Sequence, residues 1–597
     1  MITNSIIQYI HRIMRYDNWV LLWIVTFLIY YMNFRTINSG DTYPAALLPF
    51  CILGSHSLNF DQFASYIQNL QSAGFTMFVA RDGHYLSFYP IVLPVLITVF
   101  YVIPFIALKF LSYPVDMTNP GFFLIFDIME KISASAIASL SVVFVYLFMR
   151  ELIGWRNAFV TALIYAFATN TWVISSQALW QHGLAELLLS AMIYIVFLNE
   201  KKESTKNIAY LGLLSGLFIF NRPSNAFLLL PILIYVMRPF GKNIIIYALS
   251  AILSGGPFLI YNVYYFGSIL GGYSSSTRFV IGSALITNLM GSLISPSRGL
   301  LVYTPIVLLS LFGLPLAKGI INLRIKNFIF LSGLSVLLQS LIYAGFVIWW
   351  AGWSYGPRYF TDCLPYFALY IGLFLDHYLD NGKGWIRKPF TLILAILLIW
   401  SVLVQVIGAF YFEYQWDADS SVDTHQDRLW NFTDTQILRA YHSGPILVSP
   451  LRGIYTISLC YKDIINNPSD TSTKASIDPS IGWNNLEIIG GTLTRWMSND
   501  ASIQVYSNGD QEAALNFRSW SFQRPRILEI YVNGKQMGKI VVPATKYLDS
   551  NNKISLKDGQ NRIRFHAAES CDRPRDNLEK SDDLRCLSIA FQDIYIR

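Results

Sequence analysis

Asn38-Ser39-Gly40-Asp41-Thr42-Tyr43-Pro44 follows the first long apolar run of the chain, residues 18–34. A carboxylate a few residues past a membrane span is costly to bury, so an acid kept there is a functional-site hypothesis by default. The plain alternative is a solvated turn, since Gly-Asp is an ordinary turn dipeptide. The surroundings of Asp41 decide between the two.

Composition sets the class. Of 597 residues, 54% are hydrophobic, 15% aromatic and 14% charged, with mean hydropathy +0.42. An average globular chain carries roughly 25% charged residues. We read a polytopic membrane protein with a smaller water-soluble part. The net charge of +7 is spread through short loops, where it orients spans, and nucleic-acid binding is excluded. His11, Arg12 and Arg15 precede the first span, and no small-residue cleavage site follows it. The first span therefore reads as a retained anchor. Five cysteines include no CxxC and no Cys/His cluster of zinc spacing. The chain carries 36 Tyr and 41 Phe, which suits wide interfacial belts. No repeat or low-complexity segment stands out.

Residues 35–88 form the first polar segment, expected as an outer-face loop with a short surface helix near Phe60–Tyr66. It ends Arg81-Asp82-Gly83-His84-Tyr85-Leu86-Ser87-Phe88-Tyr89-Pro90. Apolar runs then occupy 89–111, 131–149, 157–173, 183–199, 207–220, 224–237, 243–263, 300–317, 327–349, 362–379 and 389–410. A span needs about 20 apolar residues, and several runs fall short of that. Basic loops at Arg150/Arg156, Lys201/Lys202/Lys206, Arg238/Lys242, Lys318/Arg324/Lys326 and Lys383/Arg387/Lys388 are expected to be cytoplasmic. A cytoplasmic N-terminus and an outer C-terminus need an odd number of crossings. Twelve runs do not satisfy that. Either the run 89–111, broken by Pro90, Pro94 and Pro104, is not a simple span, or residues 121–130 add a short one. The expectation is 11–13 spans in residues 1–410, followed by a connecting segment 411–480.

Residues 481–597 change period. Leu528-Glu529-Ile530-Tyr531-Val532 alternates as a strand, Asn533-Gly534 is a hairpin turn, and Lys539–Val542 returns. Lys553–Leu556, Asp558-Gly559 and Asn561–Phe565 form a second strand–turn–strand, and Leu587–Phe591 and Ile594–Ile596 end the chain. Strands at this spacing indicate an all-β sandwich or jelly roll, placed outside the cytoplasm. On that side Cys571 and Cys586, flanking a polar loop, either pair as a disulfide or stay free.

The outer face gathers polar and aromatic residues: Trp180-Gln181-His182, Asn221-Arg222-Pro223, Ser295-Pro296-Ser297-Arg298-Gly299 and Trp349-Trp350-Ala351-Gly352-Trp353-Ser354-Tyr355-Gly356-Pro357-Arg358-Tyr359. Arg222, Arg298 and Arg358 lie on the side the charge rule makes poor in cations. Arginine holds phosphate through a two-pronged fork and stays charged, so these three are expected to converge on one cavity holding a lipid-linked phosphate. The alternative is that each pairs with an interfacial carboxylate or a headgroup. Trp349 and Trp350 read as interfacial anchors. Trp353 and Tyr355 read as stacking surfaces for a sugar. His84 and His182 are candidate metal-binding or acid/base groups, with a plain hydrogen-bonding role as the alternative.

An acid after the first span, a first loop ending in Tyr-Pro at the next span, and the Asn-Arg-Pro hairpin resemble polytopic glycosyltransferases of the GT-C fold. They are similar in particular to the bacterial protein O-mannosyltransferase and aminoarabinose-transferase group. The resemblance covers about residues 1–410 and rests on short motifs. It implies a polyprenyl-phosphate sugar donor and makes Asp41 the acid that activates the acceptor hydroxyl. Two departures stand out. Many relatives carry a second acid beside the first, where this chain has Thr42. Many carry an acid before the fifth run, where this chain has Gln181-His182.

The expectation is therefore an inverting hexosyl- or pentosyltransferase in the cytoplasmic membrane, working on its outer face. Asp41 is the general base, and the three arginines stabilise the departing phosphate. Arg81, Asp82, His84, Tyr89, Gln181, His182, Trp353 and Tyr355 contact substrate. The acceptor is a hydroxyl on a glycan, lipid or protein. No cofactor is required, and no metal ligand set is assigned, although a divalent metal stays open. Two rivals stand beside this reading: a transporter or flippase of lipid-linked sugar, which calls for charges and broken helices at mid-membrane, and a non-catalytic glycan-binding or assembly protein of the cell envelope.

Overall fold

A computed structural model describes residues 19–446 apart from 73–74, 118, 238–241, 276–278, 280–281, 283, 382–386, 413, 415, 418–420 and 443–444. In the C-terminal part it describes 474–477, 483–489, 492–573 without 508 and 545, and 585–596. The expectations for His11, Arg12 and Arg15 lie outside the described residues. The chain divides into two compact units, residues 1–115 with 125–450, and residues 116–124 with 451–597.

The first unit is helical. Among the described residues six helices are long and apolar enough to cross a membrane: Val92–Phe110, Phe122–Arg150, Gln181–Lys201, Asn243–Phe266, Leu323–Ala344 and Thr391–Phe410. Shorter apolar helices occur at Trp19–Tyr31, Tyr43–Gly54, Pro223–Met237, Ala284–Ile294 and Pro305–Gly319. The prolines do not break the run at 89–111: Pro90 precedes the helix Val92–Phe110, Pro94 falls in its first turn, where a missing N–H is no loss, and Pro104 is accommodated inside it. Residues 121–130 are the start of one helix, Pro120–Arg150, and not a separate span. Two runs are segmented instead. Pro223 opens a tight turn ahead of the helix Leu230–Met237, and Pro305 divides Leu300–Tyr303 from Leu309–Leu316.

The first polar segment differs from its expectation as a loop. Tyr43–Gly54 is a helix whose residues Pro44 to Cys51 are all buried. It packs on Val92–Phe110, with the Phe50 and Tyr101 rings 5.1 Å apart, edge to face. The short helix expected near Phe60–Tyr66 lies further on: a tight turn at Asp61–Phe63 leads into the helix Ala64–Ser72. After it, β1 (Phe78–Arg81) and β2 (His84–Ser87) pair antiparallel across an Asp82-Gly83 turn, both residues having positive φ.

Two glycines set one close helix contact. Gly212 and Gly216 lie four apart on Thr205–Asn221 and face Lys242–Phe266. A Cβ at Gly216 would stand 2.3 Å from both the Ala251 carbonyl oxygen and Ser254 Oγ. Small residues at this spacing let backbones approach closely in membranes. Gly216→Val is expected to lower stability by about 1–3 kcal/mol through overpacking. Gly256→Ala, whose added Cβ meets nothing within 4 Å, is the control. Equal thermal midpoints for the two variants in detergent would remove this contact from the account.

The second unit is an antiparallel β-sandwich. β3 (Lys474–Ile477), β4 (Trp483–Ile489), β5 (Thr492–Met497), β6 (Asp500–Ser507), β7 (Gln511–Ser521), β8 (Arg526–Val532), β9 (Lys535–Val542), β10 (Leu548–Leu556), β11 (Gly559–Ala567) and β12 (Ile589–Ile596) form two sheets. Their orders are β10-β7-β12-β5-β4 and β3-β6-β11-β8-β9. Alternate residues from both sheets, among them Phe517, Ile530, Phe565 and Phe591, build one core. β8 and β9 form the hairpin read at Asn533-Gly534. The turn at Asp558-Gly559 does something else: it carries the chain from β10 in one sheet to β11 in the other. The two last runs are one strand, β12, irregular between Gln592 and Tyr595. Cys571 and Cys586 are joined by a disulfide, while Cys51 and Cys363 are free and buried.

Candidate functional site

The loop carrying Asp41 is pinned before it reaches the site. Gln177, wholly buried, accepts through its side-chain oxygen from Asn33 Nδ2 (2.6 Å) and Lys131 Nζ (2.5 Å). Its carbonyl oxygen accepts from the Ile37 amide. Glu130, on Pro120–Arg150, accepts from the Leu179 amide at 3.1 Å and faces Asn38 Nδ2 at 3.4 Å. The stretch 33–41 is thereby held beside residues 177–181.

Asp41 sits at the end of this stretch with its side chain 31% exposed. Tyr89 donates to Asp41 Oδ1 at 2.6 Å, and Arg358 Nη1 donates to Oδ2 at 2.6 Å. Burial alone would raise the pKa of Asp41. The charge of Arg358, the hydrogen bonds from Tyr89 and Arg358, and the charge of Arg222 outweigh it and hold the carboxyl below its ordinary value. Arg358 is itself fixed: Nη2 donates to the Ala351 carbonyl at 2.8 Å, and the guanidinium lies 4.2 Å from the centre of the Trp180 ring.

Four residues after Arg358, in the same tight turn Arg358–Cys363, stands Asp362, wholly buried. Its Oδ2 lies 3.0 Å from Arg222 Nε and accepts from Tyr343 at 2.9 Å; its Oδ1 is 2.9 Å from His182 Nδ1. A carboxylate against Nδ1 favours the imidazole tautomer with its proton there, leaving Nε2 as an acceptor. Among the described residues, His182 Nε2 has no hydrogen-bond partner although His182 is only 1% exposed. Gln181 joins the cluster from the next position, accepting from Tyr273 at 3.2 Å. Two carboxylates and two guanidiniums thus share one region, to which Asp41, Tyr89, Gln181-His182, Arg222, Tyr273, Tyr343 and Arg358 with Asp362 come from seven separate parts of the chain.

Not every residue singled out above enters it. Arg298 donates to the carbonyls of Trp350, Ser297 and Gly352 and to Asp417, and its side chain is 1% exposed. It lines a small pocket together with Arg358, but its donors are spent on its own fold. Trp349 and Trp350 are buried against Trp416, Val422 and Leu429, which corrects their reading as interfacial anchors. Tyr355, 1% exposed, donates to the Val404 carbonyl. Trp353 is half-open and donates to Ser421. Arg81 and Asp82 are exposed at the β1–β2 turn, and His84 pairs with Asp61 at 2.6 Å. Asp362, Tyr273 and Tyr343 were not singled out from the sequence. The one available signal was the i, i+4 spacing of Arg358 and Asp362 ahead of an apolar run. Among the described residues no group of three or more His, Cys, Asp or Glu could hold a metal ion.

Residues 129–261 match the family model described as dolichyl-phosphate-mannose-protein mannosyltransferase, and that match supports a GT-C glycosyltransferase. No curated protein matches the chain. Similar solved structures include a family 35 carbohydrate binding module from an environmental isolate (19% identity, 21% of this chain and 96% of that one, TM-score 0.14). Others are a family 35 module from Clostridium thermocellum (18%, 20% and 98%, 0.14) and one from Cellvibrio japonicus Abf62 (14%, 21% and 96%, 0.14).

Proposed function

We propose that this chain transfers a sugar, with inversion, from a polyprenyl-phosphate donor to a hydroxyl acceptor on the outer face of the cytoplasmic membrane, with its β-unit on that face. The observation that carries this is the charge pattern. Asp41 is ion-paired to Arg358 through Nη1 and Asp362 to Arg222 through Nε, while among the described residues the Nη groups of Arg222 have no hydrogen-bond partner. Arg222 is thus a fixed cation with donors to spare, as an anionic ligand requires.

The reaction balances on these groups. Asp41 takes the proton from the acceptor hydroxyl. The acceptor oxygen bonds to the anomeric carbon as the bond from that carbon to the phosphate oxygen breaks. A phosphodiester with one negative charge leaves as a monoester with a second one. Neutralising Asp41 frees Arg358 at the moment this second charge appears, so one arginine serves base and leaving group in turn. The same pair gates the base. With no donor present, Arg358 keeps Asp41 a weak base; a donor phosphate that draws on Arg358 raises its proton affinity. One displacement with one base inverts the anomeric centre.

The test is release of polyprenyl phosphate by the purified, reconstituted chain from a panel of polyprenyl-phosphate sugars, dependent on added hydroxyl acceptors. It is repeated in sealed right-side-out vesicles with membrane-impermeant acceptors. Transfer in both settings is expected. No turnover with any donor, or transfer only from the inner side, would overturn the reading.

A further inference from the structure

Arg358 holds Asp41 with one arm, and its other arm rests on the Ala351 carbonyl. That carbonyl points where it does because of an unusual backbone. Ala351 and Gly352 both adopt the left-handed conformation, with φ of 64° and 65°. Gly352 tolerates this freely, whereas Ala351 is strained there, and such strain persists only when neighbours over-determine it.

The neighbours are specific. Arg298 bridges the carbonyls on either side, donating from Nε to Trp350 and from Nη2 to Gly352, each at 3.1 Å. Asp417, wholly buried, holds the same Nη2 at 3.2 Å through Oδ1. Its Oδ2 accepts from Gln436 Nε2 at 3.4 Å. Gln436 in turn grips the loop further on, donating to the Ser354 carbonyl at 2.9 Å and accepting from the Gly356 amide at 3.0 Å. Two arginines therefore hold three successive carbonyls, Arg298 the outer two and Arg358 the middle one.

We propose that Arg298, Asp417 and Gln436 are positioning residues that set the 350–356 loop so that Arg358 meets Asp41 and the donor phosphate. This deepens the glycosyltransferase reading and rests on it. A lysine cannot replace the arginine at position 298, because the bridge needs donors fixed in a planar fork. Misplacing a group by about 1 Å can cost about 10²-fold in a positioned site.

The test uses the full chain in lipid nanodiscs and two probes, a short-chain polyprenyl phosphate and the matching polyprenol. Arg298→Lys and Asp417→Asn are expected to weaken the phosphate probe about tenfold or more and leave the polyprenol unchanged. Gln436→Met reads the same effect without touching a buried charge, should the ionic variants not fold. Ser401→Ala, which removes a buried hydrogen bond to the Ile306 amide, is expected to lower the thermal midpoint without changing the ratio of the two affinities. Wild-type ratios in the folded loop variants, or equal losses for both probes, would overturn the positioning role. Arg358→Ala separates the two ideas. If it keeps phosphate binding, the role of Arg358 in the glycosyltransferase reading falls and this inference with it. If it loses binding while the loop variants keep it, this inference alone falls.

Discussion

Asp41→Asn is expected to reduce sugar transfer by about 10²–10⁴-fold, the range that a positioned general base supplies. The substitution keeps size and shape. Asn Oδ1 still accepts from Tyr89, so the loop pinned at Asn33, Ile37 and Asn38 has little reason to move. The negative charge facing Arg358 is lost, and Arg358 becomes freer for phosphate. Donor affinity should therefore hold or rise while turnover collapses. That split is what separates a base from a structural acid, whose loss would lower stability and donor affinity together. Near wild-type turnover in Asp41→Asn would leave Asp41 as a turn residue with a salt bridge.

The pH profile checks the same claim from the other side. Asp41 is held below its ordinary value by Arg358, Tyr89 and Arg222 against the effect of burial. A depressed carboxyl stays ionised until the pH falls through its lowered value, so the acid limb of kcat/KM, which reports free enzyme, should lie below the usual carboxylate range. The acid limb of kcat reports the donor complex. If donor phosphate draws Arg358 away, that limb should move to higher pH. Coincident limbs would mean that the donor leaves the Asp41–Arg358 pair intact.

Much of this arrangement was legible because charge at the end of an apolar run is expensive and therefore conspicuous. Asp41, Arg222, Gln181-His182 and Arg358 stood out for that reason, and the structure brings them together. Arg298 stood out just as clearly, yet it holds carbonyls at 350 and 352. An arginine that clamps backbone and one that faces an anion carry the same flanking Gly, Pro and Trp, and only the third dimension tells them apart. Asp362 was hidden because its partners Arg222 and His182 lie 140 and 180 residues away, beyond any periodic signal. Tyr43–Gly54 was read as loop because its 12 residues fall short of a span; its burial comes from packing on Val92–Phe110, which hydropathy does not report. In the β-unit, alternation located the strands, but Asp-Gly at 558–559 does not say whether a chain returns in its own sheet or crosses to the other. That choice is made by the shared core.

Asp362→Ala is expected to cost about 3–5 kcal/mol, the range for breaking a buried ion pair and leaving its other half behind. Asp362 is wholly buried, and Arg222 is 11% exposed, so water cannot replace the carboxylate. His182 Nδ1 and the Tyr343 hydroxyl lose an acceptor in the same step, each a further burden when left unpaired. Asp362→Asn should recover part of the loss, since its side-chain oxygen can still accept from His182, but not the part owed to Arg222. Thermal midpoints in detergent read the order wild type, Asn, Ala. A midpoint for Asp362→Ala equal to wild type would mean that Arg222 has another counter-ion. The informative comparison adds a short-chain polyprenyl phosphate. An anion bound at Arg222 supplies the charge that Asp362→Ala removed, so the ligand should raise the midpoint of this variant more than that of wild type. Equal rises would place the phosphate away from Arg222 and leave that arginine, like Arg298, as a brace of the fold.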